Sequence, residues 1–407
     1  MKIGIGFCNN KDAFASGKTV VNNALQDGRI EEPSLVLAFC GGNLDHQVFF
    51  EGMRSVLSNK VPIIGGSSIG IITNHYLSYK NYPAGAAVLQ ADECKMRVVC
   101  SGELDKDEKS AGKKLAGELS AAAEDKLLLI FYDSLKVPAT DTTPPSMNAS
   151  PLLLSGIEQE MQSRIPIIGA GVVGDFGLKT AAVFCGDAVK KQHVAGALLS
   201  GKFQVYSTIM HGCTLKDGIY HTITKIEGPV IYELDNKPIV EVINEMYGNE
   251  EWQKQVPVGR LTIGVNYGEK FGEFKEDQYV NRLITGVLPN KEGIILFEPD
   301  LEAGTEIQFM LRDSDIILHS AKKNAVRLLK QIKEAGKTPY FGMYIDCAGR
   351  AADFSNTEKE EAEMVTRIFN QYKIPVFGFY SGVEVAPLLG KARGLDWTGV
   401  LMVITSE

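Results

Sequence analysis

The sequence predicts an α/β protein, mixed α+β in detail: two domains of mixed parallel and antiparallel sheets covered by helices and built from repeated helix-strand-helix-strand units. Three observations lead there. One glycine-rich phrase recurs, as VPIIGGSSIG (Val61 to Gly70), IPIIGAGVVG (Ile165 to Gly174) and IPVFGFYSGVE (Ile374 to Glu384). Each copy follows a short apolar run and then an amphipathic stretch, which is the mark of a duplicated supersecondary unit. Each copy is then followed by further strand-like runs with no helix between them, which favours antiparallel hairpins over a simple doubly wound parallel sheet.

The elements follow in chain order. In the first copy a helix over Ser16 to Gln26 leads to LVLAFC (Leu35 to Cys40), to HQVFFEGMRSVL (His46 to Leu57) and to PIIGG. In the second, Lys109 to Glu124 leads to LLLIFY (Leu127 to Tyr132), to the helix Pro151 to Gln162 and to PIIGA, with Ser150 as N-cap ahead of a first-turn proline. The third runs from the helix Ile316 to Gly336 to YFGMYIDC (Tyr340 to Cys347), to Glu358 to Tyr372 and to PVFGF. Gly336 is the expected helix stop, because glycine adopts a left-handed C-terminal conformation at little cost. Continuous apolar runs separated by helical periods indicate strands covered on both faces, joined by right-handed crossovers. Further strands are expected from Gly85, Lys95, Thr180, Val194 and Phe203.

At 407 residues, 44% hydrophobic and 23% charged, the chain can bury a large core and divide into two or three domains. The boundary is expected near His211 to Ile239, giving residues 1–221 with two copies of the unit and residues 222–407 with the third. The Pro/Thr/Ser-rich segment Leu135 to Ser150 reads as a binding-face loop rather than a linker. A formal charge of −8 without Lys/Arg runs argues against a nucleic-acid surface. No apolar stretch approaches the roughly 20 residues that span a bilayer, and MKIGIGFCNN lacks the apolar region of a signal peptide. The expectation is a cytoplasmic protein without a membrane partner. Seven cysteines with no CxxC spacing point to buried, reduced thiols rather than to disulfides or zinc.

Four stretches carry a family resemblance. LVLAFCGGNLDHQVFFEGMRSVLSNKVPIIGGSSIGII is similar to the N-terminal FIST domain, a sensory module of bacterial, archaeal and eukaryotic signalling proteins. PVGRLTIGVNYGEKFGEFKEDQYVNRLITGV, YFGMYIDCAGRAADF and PVFGFYSGVEVAP resemble the companion C-terminal FIST domain. The resemblance implies a small-ligand-binding sensory protein of signal transduction, its ligand an amino acid or related small carboxylate. No output domain is recognisable, so output would pass through a signalling partner protein or through homo-oligomerisation. Some family members are haem proteins that sense nitric oxide, which supplies a first alternative; an enzyme acting on a small acid through a cysteine or an Arg/Glu site supplies a second. No cofactor other than that haem is expected.

Eight residues are candidates for the ligand site. Gly65, Gly66, Ser67 and Ser68 either form a turn whose amides and hydroxyls hold an anion, or need glycine only for shape. Arg282 stands among strand-forming residues, where an arginine needs an acidic partner or a ligand. The resemblance places an arginine at that point, and a bidentate grip on a ligand carboxylate is its natural role; an exposed strand face is the alternative. Arg350 lies in a loop after a buried strand, with the same role or that of an ordinary loop arginine. Glu384 would meet a ligand ammonium or pair with Arg350. Cys347 and Cys40 end corresponding strands, where the second copy has Tyr132 and Asp133, and no histidine is adjacent in sequence to activate either thiol. The catalytic motifs HExxH and GxxxxGK[ST] are absent. Of the six histidines, His211, in IMHGC, is the one to weigh as a haem ligand, against a partly exposed structural role.

Overall fold

A computed structural model describes residues 1–143, 145–161, 165–355 and 357–407. Its frame is three copies of one unit. In each, a central pair of parallel strands is joined through a helix: Leu35–Gly41, His46–Arg54 and Ile63–Ser68; Asp125–Asp133, Ser150–Glu160 and Ile167–Val172; Pro339–Cys347, Glu361–Gln371 and Val376–Ser381. All three glycine phrases therefore lie on strands. An antiparallel strand flanks each pair (Pro83–Gln90, Val194–Gly201, Gly399–Thr405), and an outer strand completes it (Lys2–Asn9, Cys94–Ser101, Gln204–Met210). The final residue of the expected helix Pro151 to Gln162 lies outside the described residues. Asp12, Asp45, Asp107 and Asp313 cap helix N-termini through their carboxylates. Gly336, at φ 70°, follows the long helix Ser314–Glu334.

Ser150 departs from its expected role. It is the first helical residue, after Ala149, and its hydroxyl donates to Glu298 Oε2 at 2.7 Å. A buried carboxylate attracts the hydroxyl more strongly than the helix amides it would otherwise cap.

Each sheet is completed by the next unit. Ile63–Ser68 pairs antiparallel with Val183–Gly186 of the second unit, Ile167–Val172 with Val383–Leu388 of the third, and Val376–Ser381 with Ile71–Thr73 of the first. The three units thus close into a ring. Alternation along the strands separates two faces. Leu35, Leu37, Phe39, Leu127, Leu129, Phe131, Phe341, Met343 and Ile345 share one central core. At its axis Phe39 stacks on Phe379 and meets Phe131 edge-on, with centroids 3.7 and 5.1 Å apart. The opposite faces pack on the helices, as Val36 and Ala38 do with Val20, Phe49 and Met53.

The third unit differs in carrying an insertion. Residues between its outer strand, Gln204–Met210, and its long helix form a separate nine-stranded sheet. The outer strand of the third unit thus precedes residue 221, and the expected division at 221/222 falls inside the inserted sheet.

The first glycine of each phrase has one physical cause. Gly65, Gly169 and Gly378 are register partners of Ala38, Ile130 and Tyr344 on the adjacent parallel strand, and a methyl at any of them would collide with that partner's carbonyl oxygen. This register also shifts the expected correspondence of the cysteines: Cys40 aligns with Tyr132 and Asp346, whereas Cys347 aligns with Gly41 and Asp133. Gly169→Ala is expected to lower stability by about 1–3 kcal/mol, as overpacking against backbone does, measured by urea unfolding; an unchanged midpoint would contradict this account of the phrase.

Candidate functional site

Gly65 and Gly66 have φ of 132° and 154°, and a side chain at Gly66 would strike the Ala182 carbonyl. Ser67 Oγ accepts the Ala182 amide at 3.0 Å, and Ser68 Oγ donates to the Gly70 carbonyl at 2.6 Å and to that of Tyr380 at 3.1 Å. The four residues are strand, not turn, and they sew the first unit to the second and third. Shape and seam account for each of these contacts.

Arg282 ends the strand Tyr279–Arg282 of the inserted sheet and is 1% exposed. Its Nε donates to Asp300 Oδ1 at 2.6 Å and its Nη2 to Asp300 Oδ2, so the bidentate carboxylate is the protein's own. Further bonds reach the carbonyls of Asn281 and Gly394, and Asp396 lies 3.6 Å away. The exposed strand face that stood as the alternative is not what surrounds it. A third acid, Glu298, is fully buried nearby, accepting from Ser150. Burial, then Asp396, pushes the Glu298 carboxyl up to about 8. Burial likewise lifts Asp396 to about 6, with Arg282 opposing.

Arg350 lies in a single turn after the strand Pro339–Cys347. Its Nε donates to Glu361 Oε2 at 2.8 Å and sits 3.2 Å from Asp346, while Nη1 donates to the carbonyls of His211 and Trp397. Its acidic partners are therefore Glu361 and Asp346. Glu384, expected as that partner, instead accepts from the Ser381 hydroxyl at 2.7 Å and the Thr398 amide at 3.3 Å. Burial raises its carboxyl, and burial, then Glu384, raises the Cys347 thiol. A thiol held protonated is a poor nucleophile.

His211 is fully buried, not partly exposed. Nδ1 accepts the Cys213 amide and Nε2 lies 3.0 Å from the Glu276 carbonyl. With one nitrogen an acceptor, the other carries the proton, and neither has a lone pair left for iron. Among the described residues no group of three His, Cys, Asp or Glu is placed to hold a metal ion.

Three of the expected residues do converge, on one segment. Gly394 and Asp396 face Arg282, the Trp397 carbonyl faces Arg350, and the Thr398 amide faces Glu384. Trp397 itself is buried in a left-handed conformation, φ 46°, and its indole nitrogen has no hydrogen-bond partner among the described residues. Segment 394–398 is the joint between the inserted sheet and the third unit.

The nearby concave surface is built by residues that sequence reasoning missed. A cleft of about 360 Å³ between the inserted sheet and the start of the helix Ser314–Glu334 is lined by Lys216, Arg260, Arg312 and Asp313, with Met246, Tyr247, Leu261 and Ile316 as its apolar part. Leu261 and Leu311 are register partners and the Arg312 amide donates to the Arg260 carbonyl, so the two arginines are cross-strand neighbours. Like charges so placed repel. Arg312 lies over the Trp397 ring at 4.1 Å and donates to the Gly349 carbonyl; its Nε is buried without a partner. Burial, then Arg350, weakens its hold on its proton. Among the described residues neither arginine has a carboxylate partner, whereas Lys216 is paired with Asp217. The sequence signal was available: arginines at Arg260 and Arg312 flank strand runs, and the second directly precedes the Asp313 cap.

A ring of α/β units joined by a polar seam to an inserted sheet, with a cleft at the joint whose two arginines lack carboxylate partners among the described residues, is the arrangement of a small-ligand-binding module. The chain belongs to the FIST family: residues 34–237 match the FIST N domain and residues 240–387 the FIST C domain. FIST domains are small-ligand sensory modules of signal transduction. An uncharacterised protein of Methanocaldococcus jannaschii is 28% identical over 210 residues, 48% of this chain and 37% of that protein; the chain thus spans little more than a third of its length. An uncharacterised protein of Mycobacterium bovis is 22% identical over 404 residues, 96% of this chain and 95% of the relative. Among solved structures, a chorismatase aligns over 92% of this chain and 93% of its own at 10% identity and TM-score 0.35. A cyanuric acid hydrolase from A. caulinodans aligns over 100% and 99% at 8% and 0.36.

The acid excess around Arg282 sets a pH dependence. Glu298 and Asp396 hold protons to higher pH in the fold than in the unfolded chain, so the native state binds the extra protons. Their contribution to stability is expected to be full below the ordinary carboxyl range and to fall as pH rises through about 6 and then about 8. Glu298→Gln, which mimics the protonated acid, is expected to flatten the upper part of that fall in a series of melting temperatures. Arg282→Met leaves the carboxyls without their cation and is expected to cost about 3–5 kcal/mol, more at alkaline than at acid pH; a pH-independent loss would contradict the cluster's role.

Proposed function

We propose that the chain is a sensor for a small carboxylate, an amino acid or a close relative, held in the cleft at Arg260 and Arg312. The single observation that carries this reading is the pair of cross-strand guanidiniums, neither with a carboxylate partner among the described residues, in a cleft that also has an apolar part. A carboxylate there relieves their repulsion and fills the unused Nε of Arg312, while the Met246, Tyr247 and Ile316 side chains receive the ligand's apolar part. Of the eight residues singled out from sequence, Arg282, Arg350 and Glu384 hold the joint behind the cleft, Cys347 ends the strand before Arg350, and Gly65 to Ser68 close the ring. Arg312 touches Trp397, and Trp397 is tied to Arg350, so drawing Arg312 toward a ligand changes the balance between two arrangements of segment 394–398. A signalling partner, or a second copy of the chain, reads that change. No helix among the described residues is long and apolar enough to cross a membrane, and seven free thiols suit a reducing compartment, for which we propose the cytoplasm.

Calorimetry and thermal shift with a panel of amino acids and small mono- and dicarboxylates test the reading. At least one is expected to raise the melting temperature and to change tryptophan emission, since Trp397 is one of only two tryptophans. Arg312→Gln is expected to weaken that ligand by about tenfold or more, the worth of a charged hydrogen bond. A flat response across the panel, or affinity untouched by Arg312→Gln in a folded protein, would remove the proposal.

A further inference from the structure

A second groove, of about 620 Å³, lies on the first unit between the outer strand Lys2–Asn9, the helix Ala13–Gly28 and the turn after the strand Ile71–Thr73. Its floor is aromatic. Tyr76 lies flat on Phe7, with centroids 4.8 Å apart and planes 8° from parallel, and still leaves 58% of its surface exposed. One ring face is therefore covered and the other is offered outward.

The turn that presents Tyr76 is fixed. Thr73 Oγ1 accepts the Tyr76 amide at 2.9 Å and donates to its carbonyl at 3.1 Å, and Asn74 bonds Asn370 and the Ile374 carbonyl at 2.7 and 2.9 Å. The platform is thus set before any ligand arrives. Around it stand side-chain amides, the His75 imidazole and one acid. Asp27 spends one oxygen on the Ile5 amide and Asn23 reaches the Phe7 carbonyl, while Gln26, His75 and the Tyr76 hydroxyl make no side-chain hydrogen bond among the described residues. No lysine or arginine lines the groove.

We propose that this groove binds a neutral saccharide. A pyranose has a C–H-rich face that stacks on one side of an aromatic ring, and equatorial hydroxyls that both donate and accept at its rim. Those needs match a one-sided platform edged by amides, a carboxylate and a phenol. A nucleobase also stacks on one open ring face, so it is the rim of amides, carboxylate and phenol that favours a saccharide, and nucleosides enter the test as comparators. An anionic ligand would find Asp27 and no cation. At about 620 Å³ the groove falls within the roughly 300–1,000 Å³ of small-molecule sites.

The test is saturation-transfer NMR and calorimetry on the full chain with maltose, cellobiose, lactose and N-acetylglucosamine, and with adenosine and uridine as comparators. Transfer to the ring C–H protons of at least one saccharide is expected. Tyr76→Ala, at an exposed position and checked for native circular dichroism, is expected to weaken it by about tenfold or more, as loss of a stacking platform does. Tyr76→Phe is expected to retain most of the affinity, and Arg312→Gln all of it. No transfer from any of the four saccharides, binding unaffected by Tyr76→Ala, or binding of a nucleoside alone would overturn the proposal.

Discussion

Two buried guanidiniums hold the molecule's one non-repeated joint together. Arg282, on the inserted sheet, and Arg350, on the third unit, both bond segment 394–398, and each is offset by carboxylates that are buried or, for Asp300, largely so. Removing charge from water is expensive, and such pairs persist only where several bonds satisfy each ion. The consequence is a joint with little tolerance: its geometry is set by forked hydrogen bonds rather than by apolar contact. The ring depends on it because the strand after the third glycine phrase, Val383–Leu388, both completes the second sheet and carries Glu384 into this network.

The cationic cleft sits where that stiffness can be used. Arg312 touches both solvent and the buried network, the latter through the face of Trp397. A fully buried tryptophan at φ 46° is strained, and strained residues persist where surrounding contacts over-determine them. The contacts here are the Arg350 bond to its carbonyl on one side and the Arg312 stack on the other.

Much of the frame was legible in the sequence. The three parallel pairs announced themselves because a strand buried on both faces must be a continuous apolar run, and because close strand approach leaves room only for glycine at Gly65, Gly169 and Gly378. The exchange of strands between units was not legible. Ile71–Thr73 pairs with Val376–Ser381, and nothing local in either segment records a partner so far along the chain. The candidate site was half legible. That Arg282 needed an acidic partner or a ligand followed from its strand-forming neighbours, and Glu384 stood as one partner for Arg350, yet which acid answered was decided by folding: Asp300 for one, and Glu361 rather than Glu384 for the other. The cleft arginines escaped notice because each looks like an ordinary strand-end cation, and only the register between Leu261 and Leu311 sets them side by side.

Strand exchange around the ring has a bearing on how the chain comes to be made. The third sheet needs Gly399–Thr405 between its outer and central strands, and it then takes Ile71–Thr73 from the first unit. During synthesis, Ile71–Thr73 of the first unit therefore emerges with an edge whose partner, Val376–Ser381, follows only with the third unit. Pairings of such sequence separation form slowly, and exposed strand edges invite association with other chains in the interval. In the folded unit Asn23 and Asp27 engage the Phe7 carbonyl and the Ile5 amide, and so cover backbone groups on its outer strand at the opposite margin.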